Sequence, residues 1–561
     1  MRILTAMLCA ATLAAQEAKP VRVIVPARRV GIMTEAQLSL DEAVALTLSN
    51  NRDIDNSRID RQIASVRLTG ARGLFDPRFG ADGSLARSIT PVGSALGGGA
   101  IPGQLKNVNM VATPSLSGLI PRYGSNYNVS LANNRTSTDN LFSTLNPQFP
   151  TNLSISLTQP LLRNLRFDET RRQVEVAKKN TSITDEQFRQ RVIEIATQAV
   201  NAYWDLVFAY RNYQIQLEAV DLARRQVESN QRQVTQGILA PIDINEAETL
   251  LDQFEQNLYT AQQSLTRSEN ALKILMLQDR SAVLWNSALI PTTPLQLQPP
   301  VLILEDAVRQ AIESRPELAQ VRLNADVNQT NTRFFRDQTK PQVDVVGAYS
   351  SAGLAGEQIS GGFNPFAGNS ATTDRINQLS RLAGLQPLPA TTAAGVPGAL
   401  LGTYGQSLSN LWGFNYSTAN IGVRVSLPLH NRVAESNLAA TVADGRRIDN
   451  QRAQLEMRVE ADVRDTLQTI ESTRSRTDAA TFARQTAEAQ YQSEQRKFQE
   501  GTSTVFLVVQ RQTAMITSRN AELRAQTDLS RAIAEFERAT TRTLASRNIN
   551  IQSATAPRKN P

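Results

Sequence analysis

The sequence predicts a mainly α-helical protein with transmembrane β-strands, arranged as two tandem copies of one helix and strand unit. Three observations lead to this prediction: an N-terminus of secretory type, a set of landmarks that recurs at one spacing, and very long stretches with helical periodicity. The chain has 561 residues. One hydrophobic core rarely organises a chain of this length, so a repeat or several domains are expected.

The N-terminus has the composition of a signal peptide over residues 1–18, followed by a linker over residues 19–37. Arg2 supplies a positive charge, an apolar or small-residue segment follows, and small residues offer cleavage points at Ala14, Ala15 and Ala18. The only cysteine, Cys9, lies inside this segment after Met7 and Leu8. Those two large residues disfavour a lipid anchor but leave the question open. The mature chain would then lack any thiol for disulfides or thiolate chemistry.

An internal duplication is visible in three separated landmarks. The segment Leu40-Asp41-Glu42-Ala43-Val44 recurs as Leu304-Glu305-Asp306-Ala307-Val308. Pro77 corresponds to Pro341, and Gly237 corresponds to Gly501, each pair being 264 positions apart. One shared offset at several places indicates a tandem repeat. We therefore divide the chain into repeat 1 at 38–300 and repeat 2 at 301–545, with residues 546–561 as a disordered tail.

Each repeat begins with short helices and continues into strands. In repeat 1 we predict helices from Leu40 to Leu48 and from Asp53 to about Gly73. In repeat 2 the matching helices run from Leu304 to Glu313 and from Glu317 to Asp337, with Pro316 breaking the helix between them. Strands are then predicted within about 78–160 and 342–428, where apolar residues alternate with Ser154, Ser156, Thr158, Arg424 and Ser426.

This alternation has two interpretations, a half-buried strand of a soluble sheet and a strand of a transmembrane barrel. Tyr127, Val129 and Leu131 indicate a further strand before Leu153. Aromatic residues near the strand ends fit an interfacial girdle but prove little individually: Tyr123, Tyr127, Phe149, Trp412, Phe414 and Tyr416. The Gly-, Ala-, Ser- and Asn-rich connections 91–107 and 352–411 are predicted as long loops.

Long helical hairpins follow the strands in both repeats. From about Asp168 to Thr235, apolar or small residues recur at spacings of three and four, without proline or glycine. Such a helix is about 100 Å long at 1.5 Å per residue. After Gly237 and Pro241, a second helix is predicted from about Asp243 to Leu277. Repeat 2 has the same order, from about 431 to 544 with its break at Gly501, and small seam residues favour a curved helical layer.

Composition argues against several classes of function. The 59 basic and 52 acidic residues interleave, so the net charge of +7 indicates a solvated surface and we expect no nucleic acid. His430 is the only histidine, and there is no phosphate loop or nucleophile elbow. We therefore expect no enzyme activity, no catalytic residue, no cofactor and no metal site.

The sequence resembles the TolC-like outer-membrane efflux family over about residues 38–545. Five segments carry the resemblance: the N-terminal helix at 38–43 with Asn50-Asn51, Gln159-Pro160-Leu161-Leu162-Arg163, Ala202-Tyr203-Trp204-Asp205-Leu206, and the two turns at 237–243 and 501–507. The resemblance implies a homotrimer with a helical α-barrel in the periplasm and a shared 12-stranded β-barrel in the outer membrane, four strands coming from each copy.

The resemblance also implies a function and partners. The chain would be a passive exit duct from an inner-membrane pump, joined through a periplasmic adaptor and embedded in outer-membrane lipid. The hairpin tips would contact the adaptor at Gly237, Ile238, Leu239, Gly501, Thr502 and Ser503. The pore constriction would lie at Asp243, Glu246, Leu507 and Gln510, with acidic residues in repeat 1 alone.

Two points stay open at this stage. Asp243 fits an acidic pore ring and equally a carboxylate that stabilises a helix N-terminus. For the whole chain, the alternatives are the outer-membrane channel of a type I secretion system, a soluble periplasmic helical scaffold and, in a different class, a secreted helical filament protein. The transported substrate and ion selectivity are not predicted.

Overall fold

A computed structural model describes residues 29–93, 99–101, 103–295, 297–298, 303–359, 370–388 and 396–547. The predicted signal peptide, Cys9 and most of the predicted tail lie outside these residues. No helix among the described residues is both long enough and apolar enough to cross a membrane. The chain forms two compact units, and each repeat contributes to both. Unit 1 takes residues from Met1–Asp55, Arg191–Ala311 and Val459–Pro561, and unit 2 takes Asn56–Gln190 and Ile312–Arg458.

Repeat 1 contains the elements that its periodicity predicts, together with additional strands. In chain order these are β1 (Thr34–Leu38), α1 (Leu40–Asn50), α2 (Arg52–Arg72), β2 (Arg78–Pro91), β3 (Gln104–Ile120), β4 (Ser125–Thr138), β5 (Leu145–Pro160), α3 (Glu169–Thr235), α4 (Ile242–Met276) and β6 (Ser287–Pro291).

Repeat 2 has the same plan with fewer strands. Its elements are α5 (Leu304–Ser314), α6 (Pro316–Gln338), β7 (Gln342–Gln358), α7 (Ser370–Leu382), α8 (Tyr404–Trp412), β8 (Ser417–Ser426), α9 (Arg432–Gln499) and α10 (Val505–Ala539). The predicted short helices and long hairpins are confirmed within a few residues at each end. Helices α3 and α9 have 67 and 68 residues, as expected of two copies of one unit.

Local signals explain where the short helices begin. The Ser39 hydroxyl accepts a hydrogen bond from the Glu42 N–H at 3.3 Å, which caps α1. The Asn51 side chain accepts from the Asp53 N–H at 2.9 Å and so begins α2 directly after α1. In repeat 2, Pro316 occupies the first position of α6, where its missing N–H costs nothing.

Unit 1 contains a two-stranded parallel sheet against the long helices. β1 pairs with β6 in the register Thr34 to Ser287. The buried Tyr203 hydroxyl on α3 donates to the Leu38 carbonyl at 3.1 Å and accepts from the Thr293 N–H at 3.1 Å. One phenol therefore ties the ends of both strands to α3.

A buried charged cluster fixes the same two-stranded sheet to α4. Lys273 is fully buried, and its Nζ donates to the carbonyls of Ser287 at 2.7 Å and Trp285 at 3.2 Å. One turn earlier, Glu269 accepts from Arg29 at 2.8 Å and from the Leu289 N–H at 3.1 Å. Burial raises the pKa of the Glu269 carboxyl and lowers the pKa of the Lys273 amine, although each charge counteracts the other's shift.

Unit 2 contains one antiparallel sheet of six strands in the order β2-β3-β4-β5-β7-β8. Successive residues of each strand point to opposite faces of the sheet, and paired residues of neighbouring strands point to the same face. Rows of paired residues therefore belong alternately to one face and to the other. One row is apolar in all six strands and joins Phe79, Leu116, Val129, Ile155, Tyr349 and Ala419. The adjacent row is polar or small and joins Gly80, Ser115, Ser130, Ser154, Ser350 and Thr418.

The strand count corrects the four strands per copy that the resemblance implies. β4 is the further strand that Tyr127, Val129 and Leu131 predict, whereas β3 was not predicted. Pro114 interrupts the middle of β3, and the connection 91–107 was taken to extend into its first residues. The pairing of β3 on both sides shows that a proline is tolerated here between two long ladders.

The predicted loop 352–411 and the first two residues of the predicted tail also need correction. β7 continues to Gln358, and the connection contains α7 and α8. α8 packs on the sheet, where Ser407 Oγ lies 2.9 Å from Thr151 Oγ1 and Ser351 Oγ donates to the Leu411 carbonyl at 2.8 Å. At the tail, residues Ala545–Arg547 form a short 3₁₀ turn, and Arg547 pairs with Asp41 at 3.3 Å.

Candidate functional site

The two hairpin tips in unit 1 repeat one backbone structure. Gly237 and Gly501 have φ values of 71° and 75°, a conformation that favours glycine. The Ile238 N–H donates to the Gln233 carbonyl at 2.9 Å, and the Thr502 N–H donates to the Lys497 carbonyl at 2.9 Å. The glycine N–H groups donate to Val234 and Phe498. This pair of bonds is the Schellman ending of an α-helix, and its sequence signal is the glycine.

Beyond the glycines the two tips differ. In the first tip, Asp243 Oδ2 accepts from the Ala240 N–H at 3.2 Å, and α4 begins beside it. In the second tip, Thr504 caps α10 by accepting from the Leu507 N–H at 3.4 Å. The Ser503 hydroxyl donates to Glu494, and this bond lowers the pKa of the Glu494 carboxyl. Each tip is therefore closed by its own side chain.

The structure brings the predicted tip residues together in sequence-local turns. Ile238, Thr502 and Glu246 are exposed to solvent, whereas Leu239 and Ser503 are partly buried. Asp243 is also partly buried, and its bond to the turn is the helix-start role considered for it above. Leu507 and Gln510 lie in the first turns of α10, and Gln510 lines a shallow groove of about 570 Å³ with Phe506, Val509, Thr513, Ala514, Thr517 and Ser518.

Sequence reasoning did not single out the exposed apolar side chains of the tips. Ile238 is 67% exposed, and Ile242 and Phe506 are similarly open to solvent. Large apolar side chains at a turn are costly to leave in water unless a partner covers them. Their signal in the sequence is their place within five residues after the tip glycines, where polar turn residues are the usual choice.

Ion pairs link the two hairpins behind the tips. Arg519 on α10 contacts Glu488 on α9 at 2.7 Å and Glu218 on α3 at 3.5 Å. Arg484 on α9 contacts Glu488 at 2.7 Å and Glu522 on α10 at 2.5 Å. The Arg519 to Glu218 contact joins repeat 2 to repeat 1. The contacts of Arg519 with Glu488 and of Arg484 with Glu522 hold α9 to α10, whereas the contact of Arg484 with Glu488 lies within α9. These half-exposed pairs are individually weak.

The second functional surface is the apolar face of the six-stranded sheet in unit 2. Phe79 on β2 is 74% exposed and Ile421 on β8 is 82% exposed, and further exposed side chains of this face are Leu85, Met110, Leu116, Ile155, Leu157, Val423 and Val425. The opposite face carries Asn, Ser and Thr. Trp412 and Phe414 pack edge to face at 6.3 Å near the start of β8, and Phe414 lies 6.4 Å from Tyr349.

A sheet with one exposed apolar face and one polar face has the pattern of a wall between lipid and a water-filled interior. His430 is exposed, and the described residues contain no cluster of His, Cys, Asp or Glu that could hold a metal ion. The exposed apolar face of the sheet and the paired long helices agree with the outer-membrane channel that the sequence predicts.

A comparison with protein-family models matches part of repeat 1. Residues 43–276 match the family model described as outer membrane efflux protein. The matched residues lie within repeat 1 and extend from α1 to the end of α4. No curated protein matches the chain in sequence.

Solved structures share the fold over nearly the whole chain. The outer membrane channel CmeC of Campylobacter jejuni has a TM-score of 0.60 at 14% identity, covering 92% of this chain and 90% of CmeC. The outer membrane protein VceC of Vibrio cholerae has 0.56 at 14%, covering 89% and 95%. The open outer membrane channel MtrE of Neisseria gonorrhoeae has 0.56 at 13%, covering 89% and 88%.

Proposed function

We propose that three copies of this chain form the exit duct of a tripartite efflux system. The duct passively conducts substrates from an inner-membrane pump, through a periplasmic adaptor, to the cell exterior. The observation that carries the proposal is the combination of duplicated 67- and 68-residue helices with a sheet whose apolar face is exposed. Neither surface is satisfied in a single copy surrounded by water.

Exposed apolar residues on α9 support assembly into a homotrimer. Met457 and Phe482 are largely exposed, although α9 carries buried residues such as Val459 and Val463 on another side. Exposed apolar side chains of this size on a long helix are suited to packing against a neighbouring helix. Copies placed side by side would cover it and would build a closed wall of long helices.

The tips are the surface that we assign to the adaptor. The predicted contact residues Gly237, Ile238, Leu239, Gly501, Thr502 and Ser503 surround two turns whose apolar neighbours Ile242 and Phe506 project into solvent. The groove beside Phe506 offers a place for an apolar side chain of the adaptor. Weakening of the Arg519 links would allow α9 and α10 to move and the entrance to widen.

For the pore constriction we assign different roles to the two acidic residues. Asp243 is engaged by the Ala240 N–H and keeps the first tip closed on itself. Glu246 is exposed one turn later and carries the charge that ions would meet. Three copies of Glu246 form a negative ring that attracts cations, while the corresponding place in repeat 2 is the neutral Gln510.

An export assay with a matched tip variant tests the proposal. The gene is deleted and replaced by wild type, by Gly501→Trp or by Gly70→Trp, where Gly70 lies on α2 with open space beside it. Sensitivity to dyes, detergents and metal salts and secretion of large proteins are measured together. Wild type and Gly70→Trp should restore resistance, and Gly501→Trp should assemble without restoring it.

The outcomes separate the candidates. Restored protein secretion with unchanged resistance would assign the chain to a type I secretion system instead. Full activity of Gly501→Trp would contradict the assignment of the tips. A chain recovered as soluble monomers or as filaments outside the cell would overturn the duct itself.

A further inference from the structure

We infer that the membrane wall of this duct contains eighteen strands, six from each of three copies, and that β2 of one copy pairs with β8 of the next. The inference rests on the homotrimer proposed above and concerns its outer-membrane end. It departs from the twelve strands that the family resemblance implies, because this chain has the additional hairpin β3–β4 within its sheet.

The hairpin β3–β4 is part of the wall because it is hydrogen-bonded between β2 and β5. All fourteen residues of β2 pair with β3, and no β2 residue pairs with β5 in the described sheet. The apolar row through Leu116 and Val129 and the polar row through Ser115 and Ser130 continue those of β2 and β5 without a change of face. A one-residue slip would exchange the two faces, so the register is specified by the sequence.

The turn of this hairpin is built into the base of the sheet. Gly124 has a φ of 66°, and a Cβ atom there would meet Asn164 and the side chains of Asp168 and Arg171 at 2.9 to 3.0 Å. The Tyr123 carbonyl accepts from Gln159 Nε2 at 3.1 Å. Close packing against β5 and the start of α3 fixes the hairpin as part of unit 2.

Strand connections match those of an outer-membrane wall. The β3–β4 connection has four residues, between Ile120 and Ser125, and lies at the end where β5 and β8 lead into α3 and α9. At the opposite end, β2 and β3 are joined by twelve residues and β7 and β8 by 58 residues. Short turns on the periplasmic side and longer loops outside are the rule for such barrels.

The two edges of the sheet are suited to each other. Along β8 every residue is exposed, and along β2 only Gly80 is not. Because the sheet has six strands with alternating directions, its first and last strands run antiparallel, so an edge β2 and an edge β8 of two copies form an antiparallel pair. Their apolar residues, such as Leu85 and Val423, then continue one outer face.

Six strands do not close alone, since about eight are needed for the smallest filled barrels. A second and third copy of this chain remove every open edge. Barrel diameter grows roughly linearly with strand number, and barrels of 16 to 18 strands leave an aqueous channel. The outer opening is therefore about one and a half times as wide as in a twelve-stranded barrel, which suits bulky cargo.

Disulfide trapping in outer membranes tests the wall. The chain's only cysteine, Cys9, lies in the predicted signal peptide. After this peptide is cleaved, any disulfide that forms must join the introduced cysteines. Ser84→Cys with Val111→Cys tests β2–β3, and Asn128→Cys with Ser156→Cys tests β4–β5. Ser84→Cys with Ala112→Cys is the control, because Ala112 lies on the other face. Between copies, Ser84→Cys is combined in turn with Thr418→Cys, Asn420→Cys and Arg424→Cys.

The expected result is a several-fold excess of both intrachain disulfides over the control, together with a ladder of dimers and trimers for one β2–β8 combination. Trimers that lack the two intrachain disulfides would overturn the eighteen-stranded wall and leave the duct intact. Outer-membrane protein that forms no interchain disulfide and no trimer would overturn the proposed assembly. Counting the strands in electron cryomicroscopy maps of the wild-type oligomer distinguishes eighteen strands from twelve without any variant.

Discussion

Gly237 and Gly501 hold the same left-handed backbone conformation 264 positions apart, with φ values of 71° and 75°. The residue that follows each glycine donates its N–H to the fifth residue before it, at 2.9 Å in both repeats. The first long helix of each repeat therefore ends with the same backbone conformation and the same hydrogen bond, so the two tips have equivalent backbones. They differ in the side chains that follow, and the predicted function depends on those side chains.

Replacing either tip glycine should strain the tip. Gly501→Val forces a β-branched residue into the left-handed region, at a cost of about 1–2 kcal/mol. Nothing lies within 4 Å of an added Cβ, so the cost comes from the backbone and not from a clash. Export should fall, while the amount of trimer in outer-membrane extracts is unchanged. Gly70→Val on α2 is the control and should retain export; equal export by both variants would contradict the role of the tip.

The buried lysine of α4 should be essential for the stability of unit 1. Lys273→Met removes the donor from the Ser287 and Trp285 carbonyls and leaves Glu269 with Arg29 as its remaining cation. Breaking a buried charged arrangement destabilises by about 3 kcal/mol. The midpoint of thermal unfolding should fall clearly. Lys178→Met on exposed α3 surface is the control with no expected change, and an unchanged midpoint for Lys273→Met would refute the anchoring role.

A pH dependence follows from Glu269. Burial raises its pKa above the ordinary value of 4.5, although Arg29, the Leu289 N–H and Lys273 act in the other direction. The folded state therefore binds this proton more strongly than the unfolded state does. The resulting stability is fully present below about pH 4.5 and is lost as the pH rises through the raised pKa. Relative to Glu269→Gln, wild type should lose stability as the pH rises above about 4.5 and through the raised pKa; a gain in stability with rising pH would have the wrong sign.

Ion selectivity should respond to charge at the tips. Glu246→Gln removes the exposed carboxylate from each copy, and Gln510→Glu adds one at the corresponding place in repeat 2. In planar bilayers with a salt gradient, the first change should move the reversal potential toward zero, and the second should increase cation preference. Asp243→Asn should have the smaller effect on selectivity, because its carboxylate is bound to the turn. Shifts of the reversal potential in the opposite directions would contradict the assignment of Glu246 to the constriction.

The two faces of the sheet give a matched pair of substitutions. Val423→Arg places a charge on the exposed apolar face of β8, at a cost of about 2–4 kcal/mol in the middle of a membrane. Asn420→Arg places the same charge on the polar face of the same strand. The first variant should be depleted from the outer membrane and the second retained, as measured by quantitative blotting of membrane fractions. Depletion of both variants equally would argue that neither face meets lipid.

Much of the fold could be predicted because the duplication reports it twice. Periodicity without glycine or proline predicted α3 to end at Thr235, and Gly237 and Gly501 indicated both tips. The strand β3 was missed because Pro114 and the flanking Asn and Ser residues weaken its alternation. Its two long ladders are tertiary pairings, which short-range sequence patterns do not report.

The buried cluster of Arg29, Glu269 and Lys273 was also beyond sequence reasoning. Glu269 and Lys273 are spaced four apart on α4, a spacing that usually marks a solvated ion pair on a helix surface. Their burial depends on β1 and β6, which are far apart in the chain and become neighbours through their parallel pairing. The sequence predicted which tip positions carry acidic residues. The hydrogen bond from the Ala240 N–H to the Asp243 carboxylate could be seen only in the folded turn.

Electron cryomicroscopy of the wild-type protein extracted from outer membranes tests the duct most directly. We expect three copies around one open axis, with the long helices enclosing a passage that opens at the tips beside Gly237 and Gly501. A monomer, or an assembly in which the long helices enclose no passage, would contradict it.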